Sequence, residues 1–115
     1  EIRSKLNTVL ESDAMPTALL VAVPAHAVTV ASHVMIEGFR VPHDISIVCR
    51  DDDYYLDHFA IRLARYSLNS KAYLRRLCRM VGRMVETQDL PIRQVRLIPN
   101  LDKGQTLAPP PIDLP

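Results

Sequence analysis

The sequence has little of several features that mark whole classes of protein. It contains only three glycines in 115 residues and no Gly-rich stretch, which argues against a phosphate-binding loop. No apolar run approaches the roughly 20 residues needed to cross a bilayer. Basic residues exceed acidic residues by one, so no global charge favours binding to nucleic acid or to an anionic membrane.

Cysteine is also scarce. The two cysteines, Cys49 and Cys78, each lie inside an apolar pattern. Because cysteine is among the residues most often buried, we expect two reduced thiols in the core, although sequence alone leaves a disulfide open. Their spacing fits no zinc motif, and the sequence offers no motif for a catalytic residue, a metal ligand or a cofactor.

The first half of the chain alternates between helix and strand patterns. Apolar residues at helical spacing predict a helix over 1–11, and the continuous apolar run at 18–23 predicts a strand buried on both faces. Pro24 suits the first turn of a helix that Gly38 would end, and a second buried strand follows at 45–49. This βαβ pattern predicts an α/β protein with a Rossmann-like parallel sheet flanked by helices.

The second half is dominated by a long helix predicted over 71–87, with Ser70 as its cap. Its apolar side chains are expected to face inward; they are Leu74, Leu77, Cys78, Val81, Met84 and Val85. Its arginines favour a solvated face over a phosphate site, because no aromatic residues interleave with them; they are Arg75, Arg76, Arg79 and Arg83.

The remaining segments carry weaker patterns. Residues 51–63 are expected to be loop with some helix, and short strands are predicted at 64–69, 94–98 and 104–107. We predict one domain over residues 1–108, followed by a poorly ordered, proline-rich tail over 109–115.

Three consecutive aspartates, Asp51 to Asp53, directly follow the second predicted strand. Ligands of open α/β sheets bind beyond the carboxyl ends of the strands, so these carboxylates lie where a ligand would be held. Three interpretations stay open: a solvated turn, a magnesium site, and a pocket for a sugar or other polyol. The magnesium interpretation lacks the phosphate loop that would usually accompany it.

The segment from Val23 to His26 follows the first strand and should lie at the same edge of the sheet. It opens a helix, whose free N–H groups favour oxygen-rich ligands, so His26 is a candidate ligand contact. A packed or surface histidine is the commoner outcome. His26 and His33 are two helical turns apart, about 10 Å along the axis, which is too far for one metal ion.

Residues 16–53 resemble a known family of proteins. Their sequence is PTALLVAVPAHAVTVASHVMIEGFRVPHDISIVCRDDD, in which GFRVPHDISIV followed by an aspartate pair is the most specific part. The likeness continues through LARYSLN, the long helix and LIPNLDKGQTLAPP, so it covers nearly the whole chain in order. The family is that of the lactose/galactose-repressor (LacI/GalR) transcription regulators, and the similar part is the carboxy-terminal lobe of their effector-binding core.

The resemblance implies one lobe of a periplasmic-binding-protein-like fold. In that family two α/β lobes close over a small ligand, usually a sugar or related metabolite. The regulators are cytoplasmic homodimers that bind operator DNA through a helix-turn-helix domain at the amino end. The chain would therefore be an effector-sensing lobe without the DNA-binding domain. It would have no enzymatic activity, no cofactor and no membrane association.

The resemblance also assigns roles to individual positions. Asp51 matches the aspartate that contacts the effector, and Asp52 is the second of the pair. Val23 and Pro24 stand where the family usually has Asn-Asp, and Arg50 stands where it often has an aromatic residue. Arg50 is expected to pair with Asp52 or to present its fork to the ligand. The predicted ligand-binding residues are Asp51, Asp52, Arg50, Val23 and His26.

Ile61 and Arg62 replace two prolines that the family commonly has. Val28, His58 and Phe59 match the dimer interface, with ordinary packing as the alternative. Two other functions stay open beside the regulator: a sugar-binding protein of a transport system, and an enzyme that uses the aspartates with a metal.

Overall fold

The structure is a computed structural model that describes residues 1–89 and 94–112. The chain forms two units, one comprising Glu1–Tyr66 and Leu101–Pro115 and the other Ser67–Asn100. The elements in chain order are α1 (Ile2–Leu10), β1 (Ala18–Val21), α2 (Pro24–Ile36), β2 (Ser46–Cys49), a 3₁₀ helix (Tyr54–His58), β3 (Ala64–Ser67), α3 (Ser70–Thr87) and β4 (Asn100–Asp102). Of the tail predicted over 109–115, residues 113–115 lie outside the described residues.

The four strands form one sheet in the order β1-β2-β3-β4. β1 runs parallel to β2, with Val21 opposite Cys49, and β2 runs parallel to β3, with Cys49 opposite Arg65. The predicted α/β class and the parallel βαβ unit are therefore confirmed. Because all three strands point the same way, their carboxyl ends share one edge of the sheet.

Helix α2 begins and ends where local chemistry predicts. Pro24 occupies the first turn, where its missing N–H leaves no hydrogen bond unmade. Gly38 takes φ +91°, a left-handed conformation that ends the helix at little steric cost. Between them, Ala27, Val30, Ala31 and Val34 are buried in the core. The core also contains Leu6 and Leu10 of α1, Ile45 just before β2, and Ile47 within it. Burying each large aliphatic side chain contributes about 1.5–3 kcal/mol.

Strand β1 corrects one expectation. β2 is almost wholly buried, as predicted, but β1 alternates between exposed and partly buried positions. Leu19 and Val21 pack against the core, whereas Leu20 on the other face is 70% exposed. The apolar run of β1 is therefore buried on one face only, and the expected burial on both faces is wrong.

The segment after β4 fastens the sheet through side-chain as well as backbone hydrogen bonds. The buried Thr106 hydroxyl accepts the Ala64 N–H at 2.8 Å and donates to the Ile47 carbonyl at 2.6 Å. Gly104 takes φ +49°, and a Cβ there would clash with the Arg62 carbonyl. The strand predicted at 104–107 is therefore wrong, because this segment turns tightly against the strands instead of extending beside them.

Helix α3 has the length expected but not the environment. Its cap is Asn69, whose side chain accepts the Ala72 N–H at 3.1 Å, so the prediction of Ser70 was wrong by one residue. None of its residues is buried, which contradicts the inward face expected for Leu74, Leu77, Cys78, Val81, Met84 and Val85. The four arginines are exposed, as predicted.

Residues 94–98, the two cysteines and the hydropathy of the helices can also be compared with what the sequence predicts. Residues 94–98 form no strand, and β4 begins later, at Asn100. Both cysteines are free thiols, but only Cys49 is buried as expected, and that burial raises the pKa of its thiol. Among the residues described, no helix has the length and hydropathy that crossing a membrane requires.

Candidate functional site

The candidate site lies at the carboxyl edge of the parallel strands, where the aspartates were expected. Val23 follows β1 by two residues, and Asp51 follows β2 by two residues. The Arg50 N–H donates to the Val21 carbonyl at 2.8 Å, which continues the pairing past the strand ends. Two of the predicted binding segments, after β1 and after β2, therefore leave the sheet side by side.

Asp51 is paired with its chain neighbour. Nε and Nη2 of Arg50 donate to the two Asp51 carboxylate oxygens at 3.1 and 2.8 Å. Of the two roles predicted for Arg50, the pairing with Asp52 is wrong, because its partner is Asp51. The other role, contact with the ligand, stays a prediction. The hydrogen bond from Arg50 lowers the pKa of Asp51, so the carboxylate stays ionised. Both side chains are at least half exposed, and such surface pairs are weak, so Asp51 can still accept hydrogen bonds from a ligand.

Asp52 is instead held by Arg65 of β3, which was not among the residues predicted from the sequence. Arg65 Nε lies 2.8 Å from Asp52 Oδ1, and Arg65 Nη2 donates to Asp57 Oδ1 in the 3₁₀ helix. The hydrogen bond to Asp57 is the main cause of the raised pKa of Arg65. One guanidinium thus joins the loop after β2, the 3₁₀ helix and β3.

Arg65 is only 8% exposed, although it carries a charge. Its third nitrogen, Nη1, is enclosed and has no acceptor among the residues that the structure describes. A buried charge is tolerated when counter-ions and hydrogen bonds compensate it, and the two aspartates supply these. The sequence signal that could have revealed this site was a lone arginine in the short strand ARYS, just after an acid-rich loop.

The structure does not bring His26 and the aspartates together in one groove. His26 is exposed in the first turn of α2 and lines an open groove with residues of α1. The other residues lining the groove are Glu1, Ile2, Arg3, Lys5 and Thr29, and none of the aspartates is among them. His33 packs between the two helices, where its Nε2 is 2.6 Å from Asn7 Oδ1. The groove does not join His26 to the carboxylates.

The predicted dimer residues have mixed surroundings. Val28 and Phe59 are partly buried against the core, whereas His58 is exposed at the end of the 3₁₀ helix. Their interface role stays a prediction, as do the ligand-binding roles. Within residues 1–89 and 94–112, no group of three histidine, cysteine, aspartate or glutamate side chains is arranged to hold a metal ion.

Comparison with known proteins identifies the family. The sequence profile of the periplasmic binding protein-like domain matches residues 1–107. The chain belongs to the periplasmic binding protein-like domain family. The match extends from Glu1 to Leu107, so it includes both segments of the candidate site.

Solved structures of LacI-type regulators share the fold of this periplasmic binding protein-like chain. One is a LacI family regulator from Bifidobacterium animalis subsp. lactis, with a TM-score of 0.82, 19% identity, and coverage of 95% of this chain and 40% of that one. A regulator from Arthrobacter sp. FB24 in complex with lactose gives a TM-score of 0.77 at 17% identity, covering 91% of this chain and 40% of that one.

A regulator from Lactobacillus casei with bound sucrose gives a TM-score of 0.71 at 17% identity, covering 92% of this chain and 39% of that one. The predicted likeness in fold to LacI-type regulators is thereby confirmed. The chain spans about 40% of the length of these relatives. A search of curated proteins found no match.

Proposed function

We propose that this chain is the effector-sensing part of a LacI-type transcription regulator and that its effector is a sugar. The observation that carries the proposal is the position of Asp51, an ionised and accessible carboxylate at the carboxyl edge of a parallel sheet. Two solved relatives contain sugars, lactose in one and sucrose in the other. A carboxylate suits such ligands because it accepts strong hydrogen bonds from neighbouring hydroxyl groups.

The proposed mechanism is a shift between two arrangements of the full-length protein. A sugar that binds one arrangement more tightly raises the population of that arrangement, and the coupling to operator binding is typically about 1–3 kcal/mol. Operator binding would belong to a separate domain of a cytoplasmic homodimer. In that dimer, Val28, His58 and Phe59 are the proposed contacts. Arg50 and Asp52 would shape the site beside Asp51, and Val23 and His26 would border it.

The proposal is tested by substituting Asp51 in the full-length protein. A thermal-shift screen with lactose, sucrose and their monosaccharides first identifies a sugar that binds, since a ligand of the native state raises the melting temperature. Calorimetry with that sugar should then show at least about tenfold weaker binding to Asp51→Ala, because a hydrogen bond to a charged group is lost.

Asp44→Ala is the matched control. Asp44 also forms an exposed ion pair with a nearby arginine, Arg40 Nη2 lying 2.6 Å from Asp44 Oδ1, but it precedes β2 and so lies at the opposite end of that strand. This control should bind the sugar as the wild type does. Equal affinities of wild type and Asp51→Ala would remove Asp51 from the site.

A sugar-binding protein of a transport system is the second candidate, because the matched domain family is described as periplasmic binding protein-like. The two candidates differ in what precedes the chain in its gene. A helix-turn-helix segment there supports the regulator, and an export signal supports the transport protein.

A further inference from the structure

We propose that Arg65 is a positioning residue of the candidate effector site: it fixes Asp52 and Asp57 and thereby sets where the Asp51 carboxylate lies. The effect on ligand rests on the proposed function, whereas the effect on the loop rests on the geometry alone.

Arg65 connects three segments that have no other charged link among the described residues. Strand β3 carries Arg65 opposite Cys49, the last residue of β2. From there Nε binds Asp52 in the loop after β2, and Nη2 binds Asp57 in the 3₁₀ helix. The acidic loop is therefore tied to the strand next to the one from which it emerges.

The Arg65 side chain is held rigidly, whereas the two carboxylates that it binds are accessible. The Arg65 side chain is 10% exposed, while those of Asp52 and Asp57 are 37% and 63% exposed. A guanidinium that is packed on most sides has few rotamers available, so it can define the positions of two carboxylates that face solvent.

Arg65 positions the loop after β2 but does not itself contact a ligand. Arg65 Nη1 is enclosed and the other two nitrogens are occupied by carboxylates, so Arg65 offers no free donor to a ligand in this arrangement. It acts through the loop. Asp51 is the residue next to Asp52, so fixing Asp52 also restricts the backbone that carries Asp51.

The loop after β2 and the 3₁₀ helix carry four negative charges close together. Asp51, Asp52, Asp53 and Asp57 lie within seven residues, and like charges so close together repel one another. Arg50 neutralises Asp51 at the surface, while Arg65 is the buried counter-ion for two of the others. A planar fork can bind two carboxylates at once from different nitrogens, which a lysine ammonium on a flexible stem does poorly.

The experiment compares Arg65→Met with Arg62→Met in the full chain. Arg62 is the matched control because it also binds an aspartate, Asp102 at 2.9 Å, but its side chain is 65% exposed. Residue-resolved amide hydrogen exchange should be at least about tenfold faster over 51–58 in Arg65→Met, with α2 unchanged. Arg62→Met should leave residues 51–58 as in the wild type. Wild-type exchange over 51–58 in a folded Arg65→Met protein would overturn the proposal.

Arg65→Lys distinguishes positioning from a simple need for buried charge. If charge alone mattered, lysine would restore slow exchange over 51–58; we expect it to restore at most one of the two contacts. The Arg65 Nε–H resonance gives a direct signature, since it should exchange slowly with water in the wild type and quickly in Asp52→Ala, which has no acceptor there. Full rescue by lysine, or an unchanged Nε–H signal in Asp52→Ala, would contradict the proposal.

Two further variants cover the case in which Arg65→Met does not fold. Asp52→Ala and Asp57→Ala each remove an accessible acceptor of Arg65, and each should loosen the segment that contains it. Wild-type exchange in both would count against the proposal. Finally, a sugar that binds the wild type should bind about tenfold more weakly to Arg65→Met and normally to Arg62→Met. If no sugar binds the wild type, the proposed function fails, while the exchange measurements still decide the role of Arg65.

Discussion

The sheet unit and helix α3 have comparably clear apolar patterns but opposite surroundings. In the unit of Glu1–Tyr66 and Leu101–Pro115, side chains such as Val34, Ile47 and Leu63 are fully buried. In α3, apolar residues repeat at helical spacing over five turns, yet none of them is buried. A pattern of this kind shows which face of an element requires cover, and the cover itself must come from other residues.

The two regions also differ in what stabilises them. In the sheet unit, removal of apolar atoms leaves cavities and removal of a polar atom leaves buried backbone groups unpaired. In α3 the same substitutions change a surface that water already reaches, so only intrinsic helix propensity and capping respond. Matched substitutions in the two regions should therefore differ in their effect on the free energy of unfolding.

The largest difference is expected between Leu63→Ala and Leu74→Ala. Leu63 is fully buried, so its truncation should lower the free energy of unfolding by about 2–5 kcal/mol. Leu74 is 55% exposed, and its truncation should change that free energy by about 0.5 kcal/mol or less. Urea unfolding followed by circular dichroism measures both. Equal losses would mean that the apolar face of α3 is covered in solution.

A smaller difference is expected between two threonines. Thr106→Val keeps the shape of a buried side chain but leaves the Ala64 N–H and the Ile47 carbonyl without their partner, which should cost about 1–3 kcal/mol. Thr87→Val removes an exposed hydrogen bond to the Arg83 carbonyl and should cost about 0.5 kcal/mol or less. The same urea titration compares them. A neutral Thr106→Val would show that another group satisfies the two backbone atoms.

The smallest effect is expected at the start of α3. Asn69→Ala removes the cap and should destabilise the first turn by about 1 kcal/mol, whereas Ser70→Ala should have no measurable effect. Amide exchange at residues 70–73 reports this locally. Faster exchange in Ser70→Ala than in Asn69→Ala would show that Ser70, the residue predicted from the sequence, is the cap.

Local chemistry made part of this structure predictable. Pro24 and Gly38 delimit α2 because each residue has a conformational preference that needs no distant partner. The position of Asp51 at the carboxyl edge also followed, since it depends only on the order of strand, helix and strand. These features do not require knowledge of which residues meet across the fold.

The rest depended on distant contacts. Residues 94–98 have the composition of a strand, but a strand needs a neighbour, and the described chain pairs Asn100–Asp102 instead. Arg65 was missed because its partners lie 8 and 13 residues earlier and meet it only through the register of β2 and β3. Asn69 and Ser70 are both competent caps, and a shift of one residue decides between them.

Because β3 and β4 are neighbours in the sheet, the length of the chain between them is only weakly constrained. The chain departs from the sheet at Ser67 and re-enters it at Asn100, through adjacent strands. Because loop-closure entropy grows only slowly with loop length, we expect insertions between these two strands to cost the sheet little stability.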